Sequence, residues 1–284
     1  MARRDGLAGS REAWGVKFEL PNDLWEIAAT FRRVGDGFDP SLGFVPRKAV
    51  KAYRLSVVFS PRFEGSFLRQ MFNESFTDYV TDLNNQRESY RIFTAPINWL
   101  LESGDRVEAN FVPTGERLNA PFEIADGVVI ARGSYDWKRY RVEFESAAKR
   151  KLAGQLTWWF GGFYDGHLDQ FEAEGSWTPS AIVSFIVNAE HNIGRLPAGR
   201  FDQTLVGLKT RLNLSPDLQV NAFVQFDNEE REIGVNTRVR WTFHPQGDLF
   251  VIYNHNVREF RESPTGWAGD GNALLVKAQY AWKR

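Results

Sequence analysis

Apolar and polar positions alternate with a period of two along most of this chain, and almost nowhere follow the spacing of a helix. Val235, Thr237, Val239, Trp241 and Phe243 stand against Asn236, Arg238, Arg240 and Thr242. Val220, Ala222, Val224 and Phe226 stand against Gln219, Asn221 and Gln225. Val206, Leu208, Thr210 and Leu212 alternate with Lys209, Arg211 and Asn213, and Tyr140, Val142 and Phe144 with Arg139, Arg141, Glu143 and Glu145. Leu274, Val276, Ala278, Tyr280 and Trp282 against Lys277 and Gln279 close the chain. Strands in soluble domains average about five or six residues, and a membrane-spanning strand needs about nine to eleven. These runs are of the longer kind, so the pattern predicts an all-β, antiparallel transmembrane barrel of about 14–16 long strands.

Turn chemistry agrees. Short Pro-containing connections are expected at Pro21-Asn22, Ser60-Pro61-Arg62, Thr178-Pro179-Ser180, Ser215-Pro216-Asp217 and His244-Pro245-Gln246-Gly247. Longer loops are expected at Asn192 to Arg200, Asp227 to Arg231 and His255 to Gly271. Tight turns at one rim and longer loops at the other is the layout of an outer-membrane barrel. Phe59, Trp177, Trp241 and Phe243 lie near the short turns and Trp282 near the end of the chain. Phe163, Tyr164, Phe226 and Tyr253 lie near the opposite strand ends. Two such groups predict aromatic girdles at the two membrane interfaces. Counting strands gives about fifteen, and the first, Trp14 to Leu20, runs toward the turn side. Residues 1–13 read as a lead-in and 14–284 as the barrel. An odd count suggests a C-terminal fragment that lacks one upstream strand, a signal peptide and an upstream domain.

Composition narrows the partners. The 284 residues carry 35 Lys+Arg and 36 Asp+Glu, a net charge of -1, so the basic excess of a nucleic-acid binder is missing. There is no Cys, which removes disulfides and thiolate chemistry together. Ten Trp and 23 Phe sit in a chain that is polar on average, as strands with one lipid face and one wet face require.

Several strings are recognisable: Asn22-Asp23-Leu24-Trp25, Phe38-Asp39-Pro40-Ser41-Leu42-Gly43-Phe44-Val45-Pro46-Arg47, Gly104-Asp105 and Phe163-Tyr164-Asp165-Gly166. Leu196-Pro197-Ala198-Gly199-Arg200-Phe201-Asp202, Asn236 to Trp241 and Asp248 to Asn254 complete the set. Over nearly its whole length the chain resembles the C-terminal barrel of a bacterial family, the carbohydrate-binding family 9 domain-containing proteins. That resemblance implies an outer-membrane location, insertion by the barrel assembly machinery, and a saccharide handed on by an upstream sugar-binding-like domain. It departs at the end: such barrels commonly finish on an aromatic residue, and this one finishes Trp282-Lys283-Arg284.

Chemistry is sparse. His167, His191, His244 and His255 show no metal-ligand spacing, and neither a cofactor nor a metal is expected. A Ser–His–Asn hydrolytic site would draw on His255 with Asn254 or Asn256, and no serine can be assigned to it. Acidic loops at Asp227-Asn228-Glu229-Glu230 and Asp82-Leu83-Asn84-Asn85 lack the calcium-loop register. An Arg at the lipid midplane of a barrel costs about 2–4 kcal/mol. Arg139, Arg141, Lys209, Arg211, Arg238, Arg240 and Lys277 are therefore expected to line a wet lumen, where rings of cations favour anionic solutes. Glu26, Glu143 and Glu145 would share that lumen, so cross-strand pairing is an equal alternative. The Gly- and Pro-rich segment holding Phe38, Asp39, Phe44 and Arg47 is expected to be an irregular loop that either constricts the lumen or stays outside. The expected role is passage or surface capture of a solute across outer-membrane lipid. A barrel-borne hydrolase and a soluble secreted β-sandwich remain alternatives.

Overall fold

The computed structural model describes residues 9–40, 43–259 and 266–282, and among them there is no helix. The first strands are β1 (Ala13–Leu20), β2 (Trp25–Val34), β3 (Val50–Phe59) and the short β4 (Leu68–Met71). They are followed by β5 (Asn73–Asp82), β6 (Arg87–Leu101) and β7 (Arg106–Leu118), then by the small pair β8 (Phe122–Ala125) and β9 (Val128–Ile130). The next are β10 (Gly133–Glu145), β11 (Leu152–Phe163), β12 (Gly166–Trp177), β13 (Val183–Leu196) and β14 (Gly199–Asn213). The last are β15 (Leu218–Asp227), β16 (Glu232–His244), β17 (Gly247–Glu259) and β18 (Trp267–Tyr280).

One sheet takes 16 of these strands. Its path runs β1-β2-β3-β5-β6-β7-β10 and then in chain order to β18, with β4 pairing β6 at the side. The all-β antiparallel architecture and the expected number of long strands are both present. No hydrogen-bonded pairing joins the two end strands, β1 and β18, among the described residues. Every residue of β1 is exposed, as are the last twelve of β18. The chain divides into two compact units. One holds the chain up to Val142 with Trp159–Leu168 and Arg195–Arg200; the other holds Glu143–Trp158, Asp169–Gly194 and the chain from Phe201 on.

Register shows why these residues make this sheet. In the second unit Leu212, Val220, Val239, Val251 and Val276 form one cross-strand row, an aliphatic line over five strands. The neighbouring row on the same face is Thr210, Ala222, Thr237, Tyr253 and Leu274. Because side chains alternate, the intervening residues all point to the opposite face. The apolar face is uncovered: Leu208, Trp241, Phe243, Leu274 and Val276 are exposed, Leu274 by 68%. A sandwich would bury this face against a second sheet, and the described residues place nothing over it. In the first unit Trp14, Val16, Phe18 and Leu20 align with Arg33, Phe31, Ala29 and Ile27, and these with Lys51, Tyr53, Leu55 and Val57. A small core lies on the other face of that unit, where Phe93, Ala95 and Val112 are buried against Phe76 and Trp159.

Connections follow the expectation in part. Pro21, Pro216 and Pro245 each sit in a short turn, between β1 and β2, β14 and β15, and β16 and β17. Ser60-Pro61-Arg62 instead opens a longer connection leading to β4. The long loop expected at Asn192 to Arg200 does not exist. β13 continues to Leu196 and β14 begins at Gly199, so only Pro197 and Ala198 turn the chain. The polar run Asn192–Arg195 misled because a strand with one wet face carries such residues at alternate positions. His255 to Gly271 contracts likewise, with β17 reaching Glu259 and β18 starting at Trp267.

Aromatic clusters mark the turn-side strand ends. Trp25 packs on Phe59 with ring centroids 4.4 Å apart, Trp177 stacks on Phe185 at 5.5 Å, and Trp241 meets Phe243 at 6.0 Å. Tyr164 lies at the strand end expected for it, packed on Trp137 at 4.8 Å and on Phe163 at 4.9 Å. It holds a positive φ of 51° in the two-residue turn between β11 and β12, and its hydroxyl donates to Glu116 at 2.9 Å. Burial, then that hydrogen bond, hold the phenol well above its ordinary pKa.

Candidate functional site

The polar face of the second unit is the candidate site, and register assembles it. Five cross-strand rows run from the β15–β16 connection toward the Pro turns. Leu205, Asp227, Glu232, Arg258 and Ala268 make the first, and Gly207, Gln225, Gly234, Asn256 and Gly271 the second. Lys209, Phe223, Asn236, Asn254 and Ala273 make the third. Arg211, Asn221, Arg238, Ile252 and Leu275 make the fourth, and Asn213, Gln219, Arg240, Phe250 and Lys277 the fifth. All five cations predicted for these strands, Lys209, Arg211, Arg238, Arg240 and Lys277, therefore share one face. Within these rows the carboxylates Asp227 and Glu232 lie in the first, beside Arg258, and four of the five cations lie in the last two.

Local contacts sort the cations. Lys209 lies over the Phe223 ring at 6.0 Å. Arg240 forks onto Asp248, with Nε at 3.0 Å and Nη2 at 3.3 Å, and Thr242 donates to the same carboxylate at 2.6 Å. In the first row Arg258 donates to Glu232 at 2.9 Å and stands 3.5 Å from Asp270. Asn236 and Asn254 are hydrogen-bonded across the strands between these zones.

Arg139 and Arg141 have a different fate. In the first unit both guanidinium groups lie over Trp159, at 5.6 and 5.5 Å from the ring centroid. Arg141 also donates to Glu108 at 3.0 Å and to Asn110 at 3.2 Å, and Asn110 donates to Glu108 at 2.9 Å. Glu108 and Asn110 are buried, as a paired network within a sheet of this kind requires. Cross-strand pairing is thus the role the geometry gives Arg141, and Arg139 is held over the Trp159 ring. In the second unit Glu143 is buried too, and accepts from Gln155 and Thr157, both at 2.8 Å.

Two cavities open on the polar face of the second unit. One, of about 280 Å³, is lined by residues including Gln155, Glu172, Glu190, Gly207 and Gln225. The other, of about 530 Å³, continues past Phe223 and Gln225 to Glu232, Asn236, Asn254 and Asn256. Sequence reading missed the β11–β13 part of this lining. The signal was there in Gln170-x-Glu172-x-Glu174 and Asn188-x-Glu190-x-Asn192, polar residues at alternate positions. Glu190 accepts from Asn192 at 2.7 Å and from Gln170 at 3.4 Å, which orders this acidic group.

The loop between β2 and β3 is irregular, as expected. Phe38 is half-buried, Asp39 is exposed, and Phe44 is 90% exposed. Arg47 is exposed and donates to the Ser89 hydroxyl at 2.8 Å. The loop is tied back to the residues before β1, where Ser10 donates to Asp36 at 2.6 Å and Gly37 to the Ser10 carbonyl at 3.0 Å.

The histidines do not converge. His191 meets Thr204 at 2.8 Å, His255 meets Asn272, and His244 packs on Tyr280. His255 lies on the apolar face while Asn254 and Asn256 lie on the polar one, so a Ser–His–Asn site from these neighbours is ruled out by strand alternation. Among the described residues no group of His, Asp and Glu could hold a metal ion. No protein-family model matches the chain, and no curated protein is similar to it.

Proposed function

We propose that this chain is an outer-membrane β-barrel protein that passes or captures a polar solute along the polar face of its sheet. The observation that carries the reading is the separation of the two faces over long strands. On β16 the apolar face runs from Ile233 to Phe243. Ten residue rises of about 3.4 Å, at a tilt of about 40°, make roughly 26 Å, close to the ~25 Å apolar band of membrane barrels. That face is aliphatic in its middle and aromatic near the turns, and it is uncovered. A water-soluble fold would rarely leave so large an apolar surface exposed. The opposite face carries amides, carboxylates and cations beside open cavities, which suits a wet path. Solute passage follows from that path, and the saccharide implied by family resemblance is one solute to test.

Planar-bilayer recording of refolded protein tests the proposal. Discrete conductance steps are expected on addition, and a maltooligosaccharide that threads the path should reduce the current. A folded protein that never conducts and never associates with lipid vesicles would contradict the reading.

A further inference from the structure

Charge on the polar face of the second unit is sorted along the strands, and the cationic end carries groups with no charge to neutralise them. Arg211 and Arg238 occupy the fourth row on either side of Asn221, and Arg240 and Lys277 occupy the fifth on either side of Phe250. Adjacent strands lie about 4.8 Å apart, and alternate residues of one strand about 6.8 Å apart. Arg211 and Arg238 are therefore about 10 Å apart at the backbone, Arg238 and Arg240 about 7 Å, and Arg240 and Lys277 about 10 Å. Arg240 is matched by Asp248. Arg211, Arg238 and Lys277 have no ion-pair partner among the described residues, and all three are exposed. On this face Arg211 and Arg238 are flanked by the neutral Asn213, Asn221 and Ile252, and Lys277 by Phe250, Leu275 and Gln279.

The carboxylate end is organised differently. Glu232 is taken by Arg258, Asp227 accepts the Glu229 and Glu230 backbone N–H groups, and Glu190 accepts from two side-chain amides. Acids are thus satisfied locally, whereas the belt of cations is left to the solvent. Arg238 lies between the other two, about 10 Å from Arg211 and about 12 Å from Lys277 at the backbone, so its long side chain can share a counter-charge with either neighbour.

We infer that Arg211, Arg238 and Lys277 form an anion-binding belt that selects a multivalent oxyanion, one with several phosphate or carboxylate groups. Guanidinium groups bind such oxygens through paired charge-assisted hydrogen bonds, and rings of Arg and Lys are how pores choose anions. The spacing of the belt favours a ligand that can meet more than one cation at once. This inference rests on the polar face being a solute path, and names the solute class.

Inorganic tripolyphosphate is the probe, with uncharged maltotriose as control. The chain has no cysteine, and the substitutions Arg211→Gln, Arg238→Gln and Lys277→Gln remove charge at exposed positions. Titration calorimetry on the protein refolded in detergent is expected to show tripolyphosphate binding at 50 mM salt, weakened at least about tenfold in the triple variant. Binding should fade at 1 M salt, where the screening length is about 3 Å. In bilayers, anion over cation selectivity and block by tripolyphosphate are expected, both reduced in the variant. Binding without any conductance would support the belt and remove the pore reading. Conductance that is cation-selective, with no tripolyphosphate binding, would overturn the belt and leave the pore. Equal binding to the parent and the triple variant would overturn it as well.

Discussion

Val239→Arg tests the two-faced sheet within its aliphatic row. Val239 pairs with Val220 on one side and Val251 on the other, in the aliphatic row that extends to Leu212 and Val276. That row is one step from Trp241, so it lies inside the proposed apolar band and near its aromatic edge. An Arg at the lipid midplane costs about 2–4 kcal/mol, falling toward about 0–1 kcal/mol at the interface. With Trp241 marking the interface one row away, we expect about 2 kcal/mol. That corresponds to about thirtyfold in the folding equilibrium. On a water-exposed sheet the same change would lie within about 0.5 kcal/mol. Urea titration of protein folded into thin lipid vesicles, followed by tryptophan fluorescence, measures the difference. Arg238→Gln, one residue away on the other face, is the control and should change stability by less than about 0.5 kcal/mol. If Val239→Arg costs no more than that control, the apolar face does not meet lipid.

Three further outcomes are expected. Glu108→Ala strands Arg141 beside a buried position and should lower stability by about 3 kcal/mol, with Glu108→Gln recovering part because its carbonyl still accepts; thermal unfolding in detergent reads both. Gly194→Val should cost about 1–3 kcal/mol by the same assay, because a β-carbon there would collide with the Phe201 ring that covers it. Phe44→Ala should leave stability and conductance within error of the parent, since the ring is 90% exposed; a changed conductance would show that the β2–β3 loop reaches the solute path.

Much of this was legible in the sequence, because period-two alternation over long runs is the physical requirement of a sheet with one apolar face. Arg211, Arg238 and Lys277 could be placed on a common face from Leu212, Val239 and Val276 alone, since the latter must share the opposite one. Alternation cannot tell which cations find partners. Arg141 and Arg238 look identical along the chain, yet one sits between Glu108 and Trp159 and the other lies beside Asn221 and Ile252. Those neighbours come from the adjoining strands of the sheet, and only the register says which residues stand opposite. The Asn192–Arg200 error has the same source, for a polar strand face and a loop have similar composition. The hydroxyl partner of Tyr164, Glu116, was not legible, because it lies 48 residues away.

Gel mobility after refolding tests the central claim most directly. Protein folded in detergent and loaded without boiling should migrate as a compact band distinct from the boiled sample, as a closed, detergent-resistant barrel does. A chain that folds to a monodisperse β-protein in plain buffer, with the same mobility before and after boiling, would contradict the membrane reading.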